Sequence, residues 1–159
     1  MALFPVEASR VTIEQALGAL ARDGPRHMTT ERASERDLVV LEEGLGQRLP
    51  EEFRALLVRF GGGIFYERHE LFGARRLMIH DIELVPDLLS FRRLLAAEGG
   101  AGSERGLVPF HRADGKVHLL DLRRATATPV ISADGESSYP DLACFLEQVV
   151  IPKASAHQP

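Results

Sequence analysis

The 159-residue chain holds one cysteine, Cys144, so no disulfide can close within it, and a reducing cytoplasm is the expected location. No run approaches the roughly 18 consecutive apolar residues that a membrane-spanning helix needs. The opening, MALFPVEASRV, lacks the positive segment and long apolar core of a secretory leader. There is no block of like charge, and the formal net charge is −4. Wholesale disorder is therefore not expected, nor is the basic footprint of a nucleic-acid binder. Signatures of chemistry are missing as well. The chain has no Gly-x-Ser-x-Gly elbow, no dinucleotide fingerprint and no P-loop, and His69-Glu70 lacks the second histidine of a zinc-protease motif.

The apolar residues that are present fall into clear patterns. Thr12 and Gln15 have capping-box spacing, followed by Ile13, Leu17 and Leu20 on one helical face and a stop at Asp23-Gly24-Pro25. Residues 26–33 are polar and read as a loop. Ser34 and Asp37 form a second capping pair ahead of Leu38, Leu41 and Leu45. Pro50, Glu51 and Glu52 suit a helix N-terminus, and Phe53, Leu56, Leu57 and Phe60 form the clearest amphipathic stripe. Beyond Gly61-Gly62-Gly63 the period shortens. Ile64–Tyr66, Leu77–Ile79, Leu107–Phe110, Lys116–Leu122 and Pro129–Ile131 read as strands, with Asp114-Gly115 a strong hairpin signal. A short helix after Pro86-Asp87 interrupts them, and GGAGS (99–103) reads as a loop. A last helix from Pro140 carries Leu142, Phe145, Leu146, Val149 and Val150. Helices, then antiparallel strands, then a closing helix predict a single α+β domain with a sheet of about four to six strands.

Candidate chemistry is sparse. The three glycines follow a helix, whereas phosphate-binding loops precede one, so a glycine C-cap in the left-handed region and a tight turn into a strand are expected. His111 and His118 bracket the hairpin, near Asp114 and Asp121, but their spacing matches no common metal framework. Alternation along an extended strand points His118 away from Asp121. Surface or hydrogen-bonded histidines are therefore expected, with no metal and no cofactor. Cys144 lies opposite the apolar stripe of its helix and is expected at the surface or at a boundary. No residue stands out as catalytic.

Three segments, in order, resemble the SUKH superfamily. LEEGLGQRLPEEFRALLVRFGGG (41–63) is similar to its opening motif, GLVPFHRADGKVHLLDL (106–122) to its second, and YPDLACFLEQVV (139–150) to its terminal helix. The residues carrying the resemblance are Leu49, Pro50, Phe53, Phe60, Gly61, Gly62, Pro109, Phe110, Asp121, Phe145 and Leu146. Gly61 stands where an Asn is common, and the turn at Asp114-Gly115-Lys116 is shorter than usual. The likeness spans residues 34–151, leaving 1–33 as an extension with one helix and 152–159 as a mobile tail.

The resemblance implies an α+β domain and a non-enzymatic role. Bacterial SUKH proteins are chiefly immunity proteins that bind and neutralise a cognate toxin, often a nuclease, in the cytoplasm. Fungal relatives are regulators that act as interaction hubs. A binding face is expected on the loops beyond the glycines, at Tyr66, Glu67, His69, Glu70, Asp114 and Glu136, because loops carry recognition and tyrosine anchors interfaces. A regulatory adaptor without a toxin is the alternative, and a small metal-dependent hydrolase built on the histidines is third.

Overall fold

The computed structural model describes residues 11–100, 104–124 and 127–153. Two complete capping boxes start the first helices. Thr12 and Gln15 cap α1 (Ile13–Arg22), and Ser34 and Asp37 cap α2 (Glu35–Leu45), each pair satisfying two otherwise free N–H groups. Gly46, in the left-handed region, ends α2. Glu42 then accepts hydrogen bonds from the Leu49 amide at 2.8 Å and from Arg54 at 2.9 Å. That carboxylate pins the Leu49-Pro50 turn between α2 and α3 (Glu51–Phe60).

The strands are β1 (His27–Thr29), β2 (Gly63–Phe65), β3 (His69–Leu71), β4 (Leu77–Ile79), β5 (Ile82–Val85), β6 (Leu107–Ala113), β7 (Lys116–Asp121), β8 (Val130–Ser132) and β9 (Ser138–Tyr139). Seven of them form one antiparallel sheet in the order β1-β2-β3-β6-β7-β8-β9, and β4 with β5 makes a separate two-stranded ribbon. The class is α+β as expected, with more strands than the sequence pattern suggests. The additional strands β1, β3, β5 and β9 have two to four residues each, too few to display alternation. β1 lies in the stretch expected as a loop.

Between β3 and β6 the chain leaves the sheet through the ribbon and α4 (Leu88–Ala97), whose first turn is capped by Asp87. The closing helix α5 (Leu142–Phe145), capped by Asp141, runs directly into a π-helical turn, Leu146–Val150. All five helices supply buried side chains. Phe53, Phe110 and Phe145 meet edge to face in the core, at 5.8 and 5.4 Å between ring centroids. Cys144, expected at the surface or at a boundary, is buried. Four helical residues followed by a π turn do not hold the 3.6-residue period from which a polar side was assigned.

The glycine run does what a helix end and a close approach require. The Gly61 amide bonds the Leu57 carbonyl, closing α3. Its φ of 81° is positive, but ψ of −87° takes it outside the expected left-handed helical region. A Cβ on Gly61 would lie 2.2 Å from the Glu31 carbonyl, and one on Gly63 would lie 2.1 Å from that of Met28. Glycine here lets β1 and the residues after it lie against the start of β2.

Candidate functional site

Register places three hairpin turns at one end of the sheet. Phe65 pairs with His69 across Tyr66-Glu67-Arg68, and Ala113 pairs with Lys116 across Asp114-Gly115. β8 and β9 are joined through Asp134, Gly135 and Glu136. Antiparallel pairing of β3 with β6 and of β7 with β8 sets these tips side by side. Asp114 and Arg68 form an ion pair between the first two tips. At the third, Asp134 accepts from the Ser132 hydroxyl at 2.6 Å and from the Glu136 amide at 2.9 Å.

Of the six expected partner-facing residues, Glu67, Asp114 and Glu136 are exposed on these tips. Glu70 is half-buried and paired with Arg112 at 2.7 and 3.3 Å. The Arg112 guanidinium also lies over the rings of Phe91 and Phe72. Tyr66 and His69, expected on the surface, are buried. Tyr66 has a φ of 53° and Glu67 one of 67°, both in the region non-glycine residues seldom enter. The Tyr66 hydroxyl donates to Asp23 at 2.6 Å, and Arg26 lies over its ring. Burial and the Asp23 carboxylate together hold the phenol well above its ordinary pKa. Its amide points at His27 Nδ1, at 3.4 Å, while His27 Nε2 lies 3.0 Å from the Leu20 carbonyl. His27 therefore donates from Nε2 and accepts at Nδ1, the neutral tautomer.

Behind the tips lies a cluster that the sequence reading missed. His69 Nδ1 is 2.9 Å from His111 Nε2, and His111 Nδ1 is 3.1 Å from His118 Nδ1. All three rings are buried. Burial lowers the pKa of His69 to about 4, of His111 to about 2 and of His118 to about 4. Phe145 packs across His111 and His118 at 5.0 and 4.7 Å between centroids. Half of this arrangement was legible. A two-residue turn at Asp114-Gly115 sets Ala113 opposite Lys116, and counting back makes His111 face His118. His69 enters through the long-range β3–β6 pairing, which leaves no local trace.

The trio is not a ligand triangle. His111 meets its neighbours through opposite ring nitrogens, so the three donors do not converge on one point. Among the described residues, no group of three or more His, Cys, Asp or Glu is placed to hold a metal. Asp121 is engaged instead by Arg123, at 2.9 and 3.1 Å, which holds its carboxyl below the usual range. A cleft of about 490 Å³ opens elsewhere, between the starts of α3 and α5, with Phe53, Leu120 and Leu142 among its lining residues.

Residues 32–148 match the SMI1 / KNR4 family (SUKH-1). The chain belongs to that family. Leu49-Pro50, the glycine run and the β6–β7 hairpin all fall within the matched span. The SUKH-1 fold recurs at low identity. A crystal structure of a protein from Pseudomonas syringae pv. tomato is 17% identical, with a TM-score of 0.64 over 87% of this chain and 98% of that one. No curated protein matches significantly. SUKH-1 membership supports an immunity or regulatory type of protein at the level of the family. No helix among the described residues is long and apolar enough to cross a membrane.

Proposed function

We propose that this SUKH-1 protein is an immunity-type binder. It captures a cognate bacterial toxin in the cytoplasm and neutralises it by protein–protein contact, without chemistry of its own. Family membership carries this reading. The exposure of Glu67, Asp114 and Glu136 on three adjacent turns, with Arg68 paired to Asp114 among them, supports these tips as the binding face. A net charge of −4 suits a basic partner such as a nuclease, since opposite charge speeds encounter.

The test is co-expression with the toxin encoded beside the gene. Cells should survive, the two proteins should co-purify, and the triple reversal Glu67→Lys, Asp114→Lys, Glu136→Lys should weaken binding by about 100-fold while leaving the fold intact. Failure of the unaltered chain to rescue or bind removes the immunity reading. Full binding by the triple variant moves the interface off the tips. The fungal regulators of the same superfamily favour a second reading, an adaptor that binds a non-toxin protein, in which case capture succeeds and rescue does not.

A further inference from the structure

Three neighbouring strands, β3, β6 and β7, each contribute one buried histidine, and the rings bond one another in a row. Their six ring nitrogens divide cleanly. Four face each other in the two N···N contacts, and two, His69 Nε2 and His118 Nε2, lie at the ends. Each contact needs one proton, because a bond joins one N–H to one lone pair. The neutral trio carries three protons: one in each bond and one on an end nitrogen. A fourth fits on the other end nitrogen and leaves both bonds intact. A fifth has no end position and must enter a bond, setting N–H against N–H between a charged end ring and His111.

We propose that His69, His111 and His118 form a proton-operated latch behind the hairpin tips, which absorbs one added proton without opening and opens on the second. The latch rests on the rings alone and holds whether or not a partner docks on the tips. Its surroundings decide where the protons go. Arg68 acts on His69 and His111 and opposes their charging, while Asp114 favours charge on His69. Lys116 opposes charging of His118 and Asp134 favours it. From α5 and β9 the rings of Phe145 and Tyr139 pack against the trio. The two end rings each have a carboxylate that favours protonation, and the central ring has none. Protons therefore arrive at the ends, as the counting requires, and His111 is the last to charge.

Opening separates β3 from β6 and β6 from β7 at the end where the tips lie. The Phe72 amide, bonded to the Phe110 carbonyl at 2.9 Å across β3 and β6 beside His111, reports that separation. The Thr30 amide, bonded to Gly62 at 2.9 Å, reports the opposite end.

The experiment follows imidazole nitrogens by NMR in the full chain from pH 7.5 to 3.5, with amide hydrogen exchange measured at each step. The first proton should appear on an end ring with Phe72 protection unchanged. The second should coincide with at least a tenfold faster exchange at Phe72 and little change at Thr30. His118→Gln supplies an amide that can donate or accept but never charges, and it should hold Phe72 protection within about threefold from pH 7 to 4.5. Asp114→Asn and Asp134→Asn should still open, separating the latch from carboxylate titration. Three rings titrating singly near 6.5, opening on the first proton, or an unchanged response in His118→Gln would each overturn the proposal. The ring titration of the unaltered chain decides the matter should a variant fail to fold.

Discussion

At the scale of single residues, the glycines after α3 show how one feature can suggest a ligand and serve packing. Gly61 and Gly63 sit where a side chain would strike the backbone of residues 28–31. Strain of that kind cannot relax through a rotamer change, because the obstacle is a carbonyl and the φ of each glycine is positive. Gly61→Ala should therefore cost at least about 2 kcal/mol. Gly24→Ala, where no atom lies within 4 Å of the added carbon, should change stability by no more than about 0.5 kcal/mol. Urea denaturation compares the two. Equal midpoints would mean that the close approach of β1 carries no energetic weight.

At the scale of elements, stability should follow pH through the three strands that share histidines. The rings charge near 6.5 when unfolded and near 4 or below when folded. Between those values the unfolded chain binds more protons, so stability is complete above about pH 6.5 and falls as pH drops towards 4. Each proton of difference costs about 1.4 kcal/mol per pH unit. Asp37, Asp121 and Asp134 are held below their ordinary value of 3.8, so they begin to lose stability only under more acid conditions. Denaturation midpoints measured from pH 8 to 4 should thus be flat at first and decline below 6.5. A flat profile down to pH 4.5 would show that these rings are not neutral and buried together.

What sequence patterning could deliver also divides by element. Capping pairs, the α3 stripe and the Asp114-Gly115 turn are local, and the helices and the β6–β7 hairpin follow from them. β1, β3 and β9, of two or three residues each, carry no pattern of their own and are defined by the strands they pair with. Tyr66 shows the same limit on the site side. An aromatic residue in a turn reads as exposed, yet here contacts with Asp23 and His27, some forty residues earlier, draw it inward.

At the scale of the molecule, the family match starts at residue 32, but the packed unit begins earlier. α1 buries Ala16, Leu17 and Leu20 in the common core, and β1 is one of the two edge strands of the sheet. Asp23 holds Tyr66, and the glycines of residues 61–63 are shaped to the chain that passes them. Burying each leucine contributes roughly 1.5–3 kcal/mol, so losing two, with the β1 pairing, approaches the 5–15 kcal/mol by which a domain of this size is stable. A chain starting at residue 32 should therefore fail to reach a cooperative folded state, seen as loss of a sharp thermal transition by circular dichroism. Adding a peptide of residues 11–30 should restore part of that transition, because the surfaces of α3 and α5 that α1 covers and the edge of β2 that β1 pairs with are left open for it. If the shortened chain instead melts sharply at the original temperature, α1 and β1 are appendages, and their contacts contribute far less than their burial suggests.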